Sequence, residues 1–128
     1  MSEYTSPPHP FADTIGLRVD SAADGKSRCR VALGPALFNP HGVAHGAVAY
    51  ALADTGMGAA VYTLLGEAES CATIEIKIVY LSSARDGELV CDTHVVRKGS
   101  RVAVLESEIF ESDRLVAKAL GTYSIHRR

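Results

Sequence analysis

The stretch HGAVAYALADTGMGAAVYTLLG, from His45 to Gly66, contains one charged side chain, Asp54, among residues that are otherwise apolar, small or hydroxyl-bearing. A carboxylate in apolar surroundings is costly, so it must be exposed, paired or used. Burial disfavours its charged form, whereas work as a base or nucleophile requires that form. Neighbouring hydroxyls or amides must therefore offset the cost, and Thr55, Thr73 and Asn39 are the candidates. At the head of the run, Gly46 follows His45. A helix beginning there leaves N–H groups without internal partners and carries a partial positive charge. Fixed donors of this kind stabilise an oxyanion that develops when a carbonyl is attacked, each by about 10²–10³ in rate. Glycine allows such a carbonyl close to the backbone.

The spacing of the two residues has a further consequence. Eight residues on a helix are about 12 Å of rise and a net turn of roughly 80°. A base and an oxyanion donor serving one carbonyl must both lie within about 3 Å of the reacting atoms. One chain does not easily satisfy both demands, so if both residues serve the same reaction, Asp54 of one subunit must face Gly46 of another. The active species is then at least a dimer with two equivalent sites, and a monomer is inactive.

The elements that must position these residues follow from periodicity. From Gly46 to about Leu65 there is no proline, and Gly66 stands where a helix cap belongs. Apolar residues fall on every side of this helix, which predicts cover on every side. Gly56 and Gly58 weaken it, which predicts close packing against both. Downstream, TIEIKIVYL alternates Ile74, Ile76, Ile78 and Tyr80 against Glu75 and Lys77, and ELVCDTHVV, RVAVLESEIF and LVAKALGTYSI follow. These four strands read as an antiparallel meander, joined by turn-rich segments. Upstream, FADTIGLRV reads as a helical turn ending at Gly16, and KSRCRVALG as a strand turning Cys29, Val31 and Leu33 inward. The fold class is α+β: a curved antiparallel sheet of five to six strands wrapped around one long central helix. Residues 1–10, with Pro7, Pro8 and Pro10, read as a flexible arm, and 11–128 as a single domain.

Composition narrows the function classes. The chain has 128 residues, and thirteen Lys and Arg against fifteen Asp and Glu leave a net charge of -2. No domain-wide field favours nucleic acid or a membrane, and neither is an expected partner. No signal peptide or membrane span is read, so the expected compartment is the cytoplasm. Cys29, Cys71 and Cys91 are odd in number and strand-placed, and read as reduced core residues. No metal site is expected: His41 and His45 have no adjacent Cys or acidic ligand. GMGAAV lacks the third glycine of a dinucleotide fingerprint, and DGKS lacks the first glycine of a phosphate loop.

FNPHGVAHGAVAYALADTG, followed by TIEIKIVYLSSARDGEL, VVRKGSRVAVLESEIFE and LVAKALGTYSI, resembles the hotdog-fold acyl-CoA thioesterases of the phenylacetate-degradation (PaaI-like) family. The similarity spans residues 11 to 126. Its most specific element combines Asn39, the pair His45-Gly46, and Leu52-Ala53-Asp54. The family often has a second glycine where this chain has Ala47. The resemblance implies hydrolysis of an acyl- or arylacetyl-CoA to free acid and coenzyme A, in a site between two subunits. Coenzyme A belongs to the substrate, and no separate cofactor is implied. Asp54 is the implied catalytic carboxylate, as base on water or as nucleophile. Gly46 supplies the oxyanion-hole N–H, Asn39 orients the carbonyl or the water, and Thr73 holds the attacking water. His45 and Ala47 line the substrate's approach, His45 as the residue that fixes the helix start. Homodimers that pair into homotetramers are the implied assembly.

Arg97, Lys98 and Arg101 surround the tight turn RKGSR and could grip the coenzyme A phosphates, against the reading of a solvated turn. Two other functions fit the same scaffold: an acyl-thioester dehydratase or hydratase, and a module that binds acyl-CoA without cleaving it. The acyl group is not fixed by the sequence, and Tyr50, Met57 and Tyr62 are expected to shape its pocket.

Overall fold

Proline at 10 and glycine at 16 bound the first element of the computed structural model, which describes residues 7–128. The first six residues of the expected arm lie outside the described residues. Helix α1 (Pro10–Ile15) starts where His9 Nδ1 accepts the Ala12 N–H at 3.0 Å, and stops at Gly16, whose φ of 76° is a left-handed cap. Two strands follow, β1 (Leu17–Ala23) and β2 (Lys26–Ala32), joined by the tight turn Asp24-Gly25 with φ of 52° and 77°. Strand β2 buries Ser27, Cys29 and Val31, which keeps the alternation read for Cys29 and Val31, while Leu33 falls just past the strand. In β1 only Leu17 is fully buried, so its periodicity is weak.

Helix α2 (Gly46–Tyr62) is 17 residues long, about 26 Å. It ends earlier than the sequence predicts, and Gly66 is not its cap. The Thr63 hydroxyl donates to the Ala60 carbonyl at 2.7 Å and accepts the Gly25 N–H at 2.8 Å, so the last turn is closed by a contact from the β1–β2 turn. Gly66 instead lies in the following turn, donating its N–H to Glu69 Oε1.

The chain finishes with β3 (Glu69–Tyr80), β4 (Glu88–Lys98), β5 (Val102–Glu111) and β6 (Arg114–Arg127). All pairings are antiparallel, in the order β1-β2-β4-β5-β6-β3. The curved sheet wraps α2 without closing, which is the expected hotdog arrangement. The four-strand meander is corrected, because only β4, β5 and β6 form one. Strand β3 lies at the far edge against β6, and β2 takes the free side of β4 with Cys29 opposite Cys91. The physical reason is α2 itself, which follows β2 and carries the chain across the sheet before β3 begins.

A β-bulge between Thr73 and Glu75 decides which β3 side chains reach the helix. Strict alternation would place Thr73 and Ile76 on opposite faces. The extra residue, Ile74, is 58% exposed and shifts the register. Thr73 therefore meets α2 while Ile76 and Ile78 still pack on the core.

Leu52, Met57, Ala60 and Val61 are fully buried against the sheet. Gly56 is required there, since a Cβ would stand 2.7 Å from Thr93 Oγ1 and 3.4 Å from Ser27 Oγ. The expectation for Gly58 is not met: the nearest atom to a Cβ would be the Tyr123 hydroxyl at 3.7 Å, an ordinary contact. The sheet of one chain does not enclose the helix alone. Ala47, Tyr50, Asp54, Thr55, Gly58 and Tyr62 form one stripe that a single chain leaves half-buried or exposed. Among the described residues no helix is long and apolar enough to cross a membrane.

Candidate active site

Asp54 lies midway along that open stripe and lines a cleft of about 1010 Å³. The cleft is walled by Phe11 of α1, Leu17 and Val19 of β1, and Cys71 and Thr73 of β3. Two hydroxyls hold the carboxylate. Thr73 Oγ1 donates to Asp54 Oδ1 at 2.7 Å, and the Tyr123 hydroxyl lies within hydrogen-bond reach of both Oδ1 and, at 2.6 Å, the Asp54 carbonyl. Thr73 and Tyr123 are direct partners across the β3–β6 ladder, so one row of the sheet delivers both. Both bonds to the carboxylate go to Oδ1 and no described group bonds to Oδ2, which leaves that oxygen for a substrate or a water.

The environment fixes who carries the protons. Burial, together with the hydrogen bond to Asp54, pushes the Tyr123 phenol well above its usual range, so it stays a donor. The Thr73 hydroxyl has its hydrogen committed to Asp54 and can only accept from a water. Cys71, expected in the core, instead lies half-buried on the cleft wall. Burial and then the Asp54 charge push its thiol up, which keeps it protonated and weakly nucleophilic. Cys29 and Cys91 are buried, and all three cysteines are free.

Gly46 and Asn39 line a second cleft at the start of α2, together with His45, Ala49 and Tyr80. His45 is the N-cap of α2, its Nδ1 accepting the Ala47 N–H at 2.9 Å. Ala47 is thus a capped first-turn residue on the open stripe. The Gly46 N–H has no acceptor among the described residues and remains an orphan donor at a helix N-terminus. Opposite it, the Tyr80 hydroxyl donates to the Gly46 carbonyl at 2.7 Å, and the ring lies 3.0 Å from where a Gly46 Cβ would stand. Glycine at 46 is needed for this packing as well as for access to the amide. Asn39 Oδ1 accepts the His41 N–H at 2.9 Å and folds the preceding loop. Only its amide nitrogen is left to act on a substrate, as a donor.

The structure brings Thr73 to Asp54, and Asn39 and His45 to Gly46, but keeps the two groups in separate clefts of one chain. Arg97, Lys98 and Arg101 are exposed, form no ion pair among the described residues, and line neither cleft. Register places Lys98 opposite Ala103, Ala103 opposite Tyr123, and Tyr123 opposite Thr73. Three strand spacings, about 14 Å, therefore separate the hairpin from Thr73. Sequence reasoning missed Tyr123 because it reads as one more inward residue of an alternating strand. The available signal was its phenol, which needs a partner when buried.

A family model described as the thioesterase superfamily matches residues 41–118, the segment that carries Asp54, Gly46 and Thr73. This chain belongs to the thioesterase superfamily. The thioesterase is 38% identical over 106 residues to a protein of Halobacterium salinarum named as a putative esterase, covering 79% of this chain and 70% of that protein. A conserved protein of Pseudomonas aeruginosa shares its fold with a TM-score of 0.89 at 34% identity, covering 93% of this chain and 95% of that one. A mutant of the phenylacetic acid degradation protein PaaI of Thermus thermophilus gives a TM-score of 0.84 at 26% identity, covering 91% and 98%. The chain is a hotdog-fold thioester hydrolase.

Proposed function

We propose that this thioesterase hydrolyses an acyl- or arylacetyl-CoA to free acid and coenzyme A, in sites shared between two protomers. The observation that carries the proposal is the Asp54 carboxylate, anchored through Oδ1 by Thr73 and Tyr123 with Oδ2 free in a largely apolar cleft. Oδ2 takes a proton from a water whose oxygen bonds to the thioester carbon, or Oδ2 bonds to that carbon itself. The carbonyl oxygen that gains charge rests on the Gly46 N–H of the other protomer, assisted by the Asn39 amide. The C–S bond then breaks, and the thiolate of coenzyme A leaves and takes up a proton. On the second route the resulting anhydride is then hydrolysed by water to free acid and Asp54. Arg97, Lys98 and Arg101 hold the phosphate end of the substrate as a local cationic tip. Coenzyme A is part of the substrate and no other cofactor takes part.

The separation of the two clefts supports a dimer, because one chain offers the oxyanion donor at the start of α2 and the carboxylate at its middle, in different clefts. So does β3, an edge strand that pairs only with β6 and exposes Ile74, Val79 and Tyr80. Exposed Val96, Val102 and Leu120 provide further apolar surface for pairing dimers into tetramers. Three free thiols and a coenzyme A substrate suit a reducing cytoplasm.

A dehydratase needs an acid–base pair across one site. Here His45 Nδ1 is engaged in capping α2 by accepting the Ala47 N–H, which favours hydrolysis. Thiol release from a panel of acyl-CoAs, run beside the absorbance of an enoyl-CoA, tests the assignment. Thiol release that is abolished by Asp54→Asn supports it. Loss of the enoyl absorbance without thiol release, or binding with neither change, overturns it.

A further inference from the structure

Tyr50, Asp54, Gly58 and Tyr62 follow one another at intervals of four along α2, so they form a single ridge on the open face of the helix. Asp54 and Tyr62 stand about 12 Å apart along the axis, and between them the ridge has a gap at Gly58. Both interior glycines lower helix stability relative to alanine, but only one is explained by packing. At Gly56 a Cβ would stand 2.7 Å from Thr93 Oγ1. At Gly58 the nearest atoms are the Tyr123 hydroxyl at 3.7 Å and its ring at 3.9 Å, so alanine fits without displacing anything. The chain keeps a destabilising residue that its own packing does not require. The space this leaves opens on the Asp54 cleft, where Phe11, Leu17, Val19, Ala51 and Tyr62 provide apolar walls.

We infer that Gly58 is a specificity-determining residue, whose missing side chain forms the seat of the acyl group. The inference rests on the proposed hydrolase reading and deepens it. With the reacting carbonyl at Asp54, a flat aryl ring or an unbranched chain extending about 6 Å lies over Gly58. Tyr62, one turn further, closes the seat. A branched or bulky group close to the carbonyl meets the helix backbone and is excluded.

The test compares the wild type with Gly58→Ala and Gly58→Leu, measuring thiol release from acetyl-, octanoyl- and phenylacetyl-CoA together with melting temperature. Gly58→Ala is expected to melt higher than the wild type. Its ratio of kcat/KM for phenylacetyl-CoA over acetyl-CoA is expected to fall on the order of tenfold, and the Gly58→Leu ratio further, because added methyl groups compete with the acyl group for one apolar space. A ratio unchanged in both variants, in a wild type that hydrolyses the panel, overturns the inference alone. A lower melting temperature in Gly58→Ala also overturns it, since the glycine would then serve packing. A wild type that releases no thiol from any of the three overturns the hydrolase reading, and the inference with it.

Discussion

The Tyr123 hydroxyl bonds to both the backbone carbonyl and the side chain of Asp54, tying the carboxylate's position to that of the helix it stands on. The pair joins β6 to α2 at the point where Thr73 of β3 also arrives. Carboxylate, helix and two strands are thereby held as one unit. Tyr123 is a positioning residue, since it acts on the substrate only through Asp54.

Because the phenol is pushed up in the folded protein, its neutral form favours folding. The sign follows from linkage: a raised folded pKa gives stability that is intact below the unfolded value, about 10, and is lost as pH rises above it. The wild type is expected to lose melting temperature above about pH 10 more steeply than Tyr123→Phe. Thermal melts of both proteins from pH 7 to 11 check this. Near neutral pH, Tyr123→Phe is expected to lower kcat more than it raises KM, whereas a purely structural role would leave kcat per folded molecule unchanged.

Cys71 reports on Asp54 without any turnover. Burial raises the thiol first and the neighbouring negative charge raises it further. Removing that charge in Asp54→Asn lowers the thiol's pKa and increases its thiolate fraction. Alkylation of Cys71 by iodoacetamide at pH 8, followed by mass spectrometry, is expected to be severalfold faster in the variant. An equal rate would mean that the carboxylate and the thiol do not share the cleft wall.

The two helix glycines give opposite stability changes. Gly56→Ala places a Cβ against Thr93 Oγ1 and is expected to cost about 1–3 kcal/mol. Gly58→Ala meets only ordinary contacts and is expected to gain up to about 1 kcal/mol. Denaturant unfolding with an unchanged slope measures both.

For the hairpin cations, Arg101→Ala is expected to raise KM for an acyl-CoA but not for a truncated thioester that lacks the nucleotide. Equal KM changes for the two substrates would return the turn to the role of a solvated connection.

The start of α2 was legible because His45 and Gly46 are local signals, a cap followed by an apolar run. Its end was not: the Thr63 hydroxyl takes the Gly25 N–H from 38 residues away, and nothing local announces that contact. The existence of β2 to β6 was legible from alternation, but that of β1 was not, because only Leu17 of it is fully buried, and the position of β3 beyond β6 depends on where α2 delivers the chain. The bulge at Ile74 was likewise hidden, because TIEIKIVYL alternates without interruption as written. Of the carboxylate's partners, Thr73 could be named because the family resemblance implies a hydroxyl at that strand position. Tyr123 was concealed by the apolar character of its ring. The separation of Asp54 from Gly46 needed only helix geometry, and the structure places them in different clefts of one chain.

Subunit complementation tests the shared site most directly. Asp54→Asn removes the carboxylate, and Gly46→Pro removes the N–H at a first helical position that tolerates proline. Where Gly46→Pro disturbs Tyr80 and fails to fold, Asn39→Ala serves as the second partner. Each variant alone is expected to show little thiol release. After the two are unfolded together and refolded at equal concentration, half of the dimers are mixed, and each mixed dimer carries one intact site. Recovery of about a quarter of wild-type activity is therefore predicted. A mixture of folded, dimeric variants no more active than the variants alone would place the carboxylate and the amide in one chain's site and contradict the account.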